Sequence, residues 1–225
     1  MTISNDIRAV IFDLDGTLVD TAGEIAAALN ATLAELEQPN LSQPEVEALI
    51  GRGVRSMVER ALASAGAADV DLEAAVERFE AHYARTVGTQ ATLFPGVLPG
   101  LRLFRDSGFK LAVVTNKPRF FTGKLLARLE VDSMFAGLVA GDDGIRRKPD
   151  GDMLEAACRM MGTGPASALM IGDSDNDVRA ARAAGCPVWC VSYGYNEGRS
   201  AETLECDRMV ATIEEAAGLL VKPFR

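Results

Sequence analysis

From Ile7 to Thr17 the chain reads Ile-Arg-Ala-Val-Ile-Phe-Asp-Leu-Asp-Gly-Thr, an apolar run that stops abruptly at two carboxylates two positions apart. A short, β-branched and nearly continuous apolar segment predicts a parallel strand covered on both faces. Gly16 supplies backbone freedom for a turn just beyond it. In open α/β sheets ligands bind beyond the carboxyl ends of the strands, and Asp13 and Asp15 fall there. Taken alone, the same residues also suit an ordinary polar turn, so the remainder of the chain decides.

After Thr17 the apolar spacing becomes helical. Ile25, Leu29, Leu33 and Leu36 share one face, and Pro39 closes the segment. Ser42 with Glu45 three residues on predicts a capping box opening a second short helix, which stops at Gly51-Arg52-Gly53. Val54, Val58, Leu62 and Ala65 mark a third helix, and Leu72, Val76, Phe79 and Tyr83 a fourth. From Leu93 onward strands alternate with helices. The strand candidates are Leu111–Val114, Leu138–Ala140, Ala168–Ile171, Val188–Val191 and Met209–Ala211, with helices near 97–107, 120–130, 152–161 and 176–184. That alternation predicts an α/β fold with a doubly wound, Rossmann-like parallel sheet. Residues 1–19 and 88–225 form the expected core, and residues 20–87 an all-helical cap inserted after the first strand.

Composition narrows the partners. At 225 residues with a formal net charge of −9 and a pI near 4.8, the chain disfavours a polyanion such as nucleic acid, although local cations still permit a small anionic ligand. Cys158, Cys186, Cys190 and Cys206 form no CxxC pair, so free thiols in a reducing cytosol are expected. No basic and apolar leader opens the sequence, and no apolar run approaches ~18 residues. A cytoplasmic protein with no membrane span is the expectation, and oligomeric state stays open.

Polar residues collect after the strands: Thr115-Asn116, then Lys148-Pro149 in a loop, then Asp173 and Asp177. Singly, each has an ordinary reading as a helix cap, a solvated charge or a turn. Together they describe a site. Carboxylates of Asp13, Asp15, Asp173 and Asp177 converging at strand ends would repel one another by about 4 kcal/mol per pair at roughly 4 Å with an effective dielectric near 20. Such a cluster needs a cation, and hard oxygen ligands suit magnesium. Lys148 would then neutralise phosphate oxygens the metal does not reach.

DLDGT at 13–17, TN at 115–116, KP at 148–149 and GDSDND at 172–177 resemble, in order, the four motifs of the haloacid dehalogenase-like hydrolase superfamily. Within it, Phe94-Pro95-Gly96-Val97, Thr115-Asn116-Lys117-Pro118 and Ser192-Tyr193-Gly194-Tyr195-Asn196-Glu197-Gly198 look most like bacterial phosphoglycolate phosphatases. The resemblance implies a magnesium-dependent phosphomonoester hydrolase converting 2-phosphoglycolate to glycolate and phosphate. Asp13 would be the nucleophile that forms an aspartyl-phosphate, and Asp15 the general acid and base. The metal would rest on the Asp13 carboxylate, the Asp15 backbone carbonyl and Asp173, with Asp177 behind them. Thr115, Asn116 and Lys148 would hold the phosphoryl oxygens.

Neighbouring chemistries in the superfamily fit less well. Carbon-attacking dehalogenases lack an aspartate two positions after the nucleophile, whereas Asp15 is present. Phosphonate-cleaving relatives use a cap lysine, and no lysine precedes Lys110. The motifs leave open another small phosphate ester or sugar phosphate as substrate, a mutase of the β-phosphoglucomutase type, and a non-catalytic regulator that binds a phosphorylated metabolite. In the cap, Arg52, with Arg55 beside it, is the candidate partner for a substrate carboxylate. His82 and the Arg146-Arg147 pair read as surface residues. Asp150-Gly151-Asp152 departs from the Asp-Pro that relatives often carry, which bears on how the next helix starts.

Overall fold

The computed structural model describes residues 6–67 and 69–221; the opening residues 1–5, where no leader was expected, lie outside it. Strand β1 (Ala9–Phe12) leads through a tight turn to β2 (Val19–Asp20) and then to helices α1 (Ala22–Glu35), α2 (Gln43–Glu47), α3 (Val54–Ser64) and α4 (Leu72–Thr86). The chain returns in β3 (Thr92–Leu93) and continues through α5 (Val97–Asp106), β4 (Lys110–Val114), α6 (Arg119–Arg128) and β5 (Gly137–Val139). Then follow α7 (Asp152–Met161), β6 (Ala168–Gly172), α8 (Asp175–Ala184), β7 (Val188–Val191), β8 (Arg208–Val210) and α9 (Ile213–Leu220).

Six strands form one parallel sheet in the order β5-β4-β1-β6-β7-β8. Phe12 lies in register with Val113 of β4 and with Ile171 of β6. The chain therefore winds outward on one side of β1 and then on the other, and the reversal falls at the carboxyl ends of β4, β1 and β6. Alternate residues of β1 feed two apolar clusters, as the two-residue strand period requires. Val10 and Phe12 pack with α5, α9 and the buried faces of α1, α3 and α4, while Ala9 and Ile11 pack with α7 and α8.

Two features lie beyond the periodicity: helix α9, and the antiparallel ribbon that pairs Val19 with Leu93. The ribbon sets the exit to α1 and the return from α4 side by side. Ser42 and Glu45 form the expected capping box of α2. Helix α7 opens at Asp152, and a Cβ on Gly151 would stand 2.7 Å from the backbone nitrogen of Ala184. Glycine at position 151 lets α7 start against the end of α8. No helix among the described residues is long and apolar enough to cross a membrane.

Candidate active site

Asp13, Thr115 and Asp173 are the first residues past β1, β4 and β6, so neighbouring strands deliver them to one edge of the sheet. The Asp13 amide still donates to Ile171 (3.0 Å), and the Thr115 amide to Val139 (3.0 Å). The turn that follows β1 closes on itself, with Leu18 and Val19 donating to the Leu14 carbonyl. It leaves Asp15 facing the same edge.

One carboxylate oxygen from each of Asp13, Asp173 and Asp177 lies within 4.8 Å of the others, and all three residues are buried. Lys148 reaches in from its loop, its Nζ 2.8 Å from Asp13 Oδ1 and 2.6 Å from Asp177 Oδ1. The far oxygen of Asp177 accepts from the Ser174 hydroxyl (2.7 Å) and from the amides of Ser174 (3.1 Å) and Asp173 (3.2 Å). Both Asp177 oxygens are thus engaged within the protein. Asp173 accepts from the Thr17 hydroxyl (2.9 Å) and the Tyr195 amide (2.8 Å).

Three carboxylates with one ammonium leave surplus negative charge out of water. Burial first, and the neighbouring carboxylates after it, push the Asp13 carboxyl up to about 8 against the opposing pull of Lys148. Burial and Asp177 push Asp173 up to about 7. Burial works against charge on Lys148, yet Asp13 and Asp177 outweigh it and hold the ammonium above its usual range. An all-oxygen donor set with uncompensated charge fits a hard divalent cation, and Asp13, Asp173 and Asp177 together form a group of carboxylates that could hold one.

On the other side of Asp13 a pocket runs under the helices. Asp13, Asp15, Thr115, Asn116 and Lys117 line its floor, and Ile25, Ile50, Val54, Met57, Phe79 and Tyr83 its walls. Asn116 spans the seam, its amide nitrogen donating to the carbonyls of Gly51 (2.9 Å) and Lys148 (3.0 Å) while its oxygen accepts from the Lys148 amide (3.1 Å). Lys117 received no role from the sequence. It is buried, with its Nζ 2.8 and 3.1 Å from the two oxygens of Asp15 and 4.8 Å from the centre of the Tyr83 ring. Its position two residues after Thr115 in the strand-end loop was the available signal. Asp15 Oδ1 also accepts from the Thr21 hydroxyl (2.8 Å).

Arg52 is not among the pocket-lining residues. Its guanidinium forks onto Glu197 (2.6 and 2.7 Å), in the loop after β7. Arg55 pairs with Glu73, and His82 with Glu35 (2.9 Å). Arg146 pairs with Asp152 at the surface (2.9 Å), and Arg147, also exposed, donates to the Gly141 carbonyl (2.5 Å). The four cysteines stand as free thiols.

The haloacid dehalogenase-like hydrolase family profile matches residues 7–185. A phosphoglycolate phosphatase of Nitrosospira multiformis is 42% identical over 219 residues, covering 96% of each chain. A plasmid-borne phosphoglycolate phosphatase of Cupriavidus necator is 44% identical over 220 residues, covering 97% of this chain and 95% of the relative. Among solved structures, a predicted phosphoglycolate phosphatase from Haemophilus somnus superposes with a TM-score of 0.91 at 28% identity, over 96% of this chain and 99% of that one.

Proposed function

The chain belongs to the haloacid dehalogenase-like hydrolases, and from that premise we propose that it is a magnesium-dependent phosphatase converting 2-phosphoglycolate to glycolate and phosphate. One observation carries the chemistry: three buried carboxylates within 4.8 Å beside a lysine that contacts two of them. The relatives named above support the substrate.

Asp13 is the proposed nucleophile. Its carboxylate attacks phosphorus as the ester oxygen departs, giving an aspartyl-phosphate that water then cleaves. Asp15, two residues on and facing the same pocket, gives its proton to the leaving alkoxide and later takes one from the attacking water. Lys148 holds the transferring phosphoryl oxygens together with the Thr115 hydroxyl. The Asn116 side chain already has partners, so its contribution falls to the backbone N–H. Asp13, Asp173 and the Asp15 backbone carbonyl would hold a divalent cation, which would supply positive charge against the phosphoryl oxygens. Asp177 orients Lys148 and the start of α8.

Residues 20–87 act as a cap on a core of residues 1–19 and 88–225. Two strands of chain side by side at Val19 and Leu93 support a hinge there, and closure would exclude water from the pocket.

Phosphate release from a panel of esters, with magnesium and with EDTA, tests the reading. Selective, metal-dependent hydrolysis of 2-phosphoglycolate is expected, and Asp13→Asn should abolish it while leaving substrate binding intact. Release from sugar phosphates alone would keep the chemistry and discard the substrate. Undiminished release by Asp13→Asn would overturn the mechanism.

A further inference from the structure

The cations near the pocket are mostly occupied elsewhere. Lys148 lies between Asp13 and Asp177, Arg52 is forked onto Glu197, and Arg147 is turned to the Gly141 carbonyl. Lys117 is the cation among the pocket-lining residues. Its ammonium offers three donors, and among the described residues Asp15 is the one carboxylate it contacts, at 2.8 and 3.1 Å. A face of Tyr83 covers a second side of it. The remaining direction is available to a group in the pocket.

The walls say what such a group is. Ile25, Ile50, Val54, Met57 and Phe79 offer no hydrogen bond. The Tyr83 hydroxyl already donates to Glu24 (2.9 Å). Hydroxyls of a sugar would be left without partners against this surface, at a cost per group that a small anion paired with Lys117 does not meet. We propose that Lys117 receives a carboxylate at the end of the substrate remote from phosphorus, and so selects short phosphate esters that carry a carboxylate as a second anionic group. The inference rests on the phosphatase reading above. In this arrangement Lys117 bridges Asp15 and the substrate carboxylate, as Lys148 bridges Asp13 and Asp177. Specificity then originates in the core loop after β4 rather than in Arg52 of the helical segment.

Two esters of equal length separate this role from simple positioning of Asp15: 2-phosphoglycolate, and 2-hydroxyethyl phosphate, which carries a neutral CH2OH in place of the carboxylate. The full chain with magnesium is assayed on both, as wild type, Lys117→Met and Lys117→Gln, with thermal melts to confirm folding. The wild type should prefer the carboxylate ester. In both variants the ratio of kcat/KM between the two esters should fall by about 30- to 100-fold, mainly through KM for 2-phosphoglycolate, as loss of one charge-assisted contact predicts. Equal losses on both esters with the ratio unchanged would overturn the inference and leave Lys117 as a positioning residue for Asp15. A wild type that cleaves both esters without preference would overturn it also, with the phosphatase reading intact. Release from neither ester would instead remove the phosphatase reading itself.

Discussion

The Lys148 ammonium donates to Asp177 Oδ1 at 2.6 Å while Asp177 Oδ2 accepts from the Ser174 hydroxyl and amide, so one carboxylate both starts α8 and aims the lysine. Removing the ammonium strands the two buried carboxylates it contacts, Asp13 and Asp177, beside a third, Asp173. Lys148→Met should therefore destabilise the metal-free protein by about 3–5 kcal/mol near pH 8, the range for breaking a buried ion pair from one side. The loss should shrink near pH 5.5, where Asp13 and Asp173, both held above the usual carboxylate range, take up protons. Urea titrations at the two pH values measure the difference, and an equal loss at both would contradict it.

The same raised carboxyls give the wild type a pH-dependent metal response. A carboxyl whose folded pKa lies above its unfolded value favours folding fully below the unfolded pKa, and that contribution disappears as pH rises through the folded value. For Asp13 and Asp173 the window runs from near 4 up to about 8 and about 7. In EDTA the melting temperature should fall between pH 5 and pH 8.5 from this source. Magnesium competes with the protons, so its stabilisation should be larger at pH 8 than at pH 5.5. Melts in EDTA and magnesium across that range test the sign; a magnesium shift that is greatest at low pH would refute it.

Arg52 and Glu197 lie 145 positions apart yet form a two-pronged ion pair. Arg52 is 53% exposed, so the pair contributes little to stability, about 0–1 kcal/mol. Its expected effect is on how the helices sit over the core. Arg52→Ala and Glu197→Ala should shift KM alike, and the double variant should do no more than either alone. A rise in KM for 2-phosphoglycolate confined to Arg52→Ala would return the arginine to the substrate.

What was legible in the sequence follows from how far each signal travels along the chain. Ala9–Phe12 and Val188–Val191 are buried on both faces, so composition alone marks them. Asp13, Asp15, Thr115, Lys148 and Asp173 are readable because each follows a strand or sits in a recognisable motif. Strands β2 and β3 have two residues each, too few for a period. The alternating pattern also stops short of α9, although Thr212 and Glu215 do cap it. Lys117 and the partner of Arg52 depend on contacts between segments about 100 residues or more apart, which no local window contains.

Glu24 is the sharpest case, since an acid in the first turn of α1 reads as a solvated charge. Instead it is buried and accepts from the Tyr83 hydroxyl (2.9 Å) and the amides of Gly88 (2.8 Å) and Ala91 (3.3 Å). It thereby ties α1 to the end of α4 and to the segment returning to β3. Glu24→Ala leaves three donors short of an acceptor, at about 1–3 kcal/mol for each that stays buried and unpaired. Tyr83→Phe removes one donor and leaves Glu24 its two amides, so about 1 kcal/mol is expected. At about 2–4 °C per kcal/mol for a chain of this size, the melting temperature should fall several-fold further in Glu24→Ala than in Tyr83→Phe. Equal shifts in the two variants would show that the carboxylate does not organise this junction.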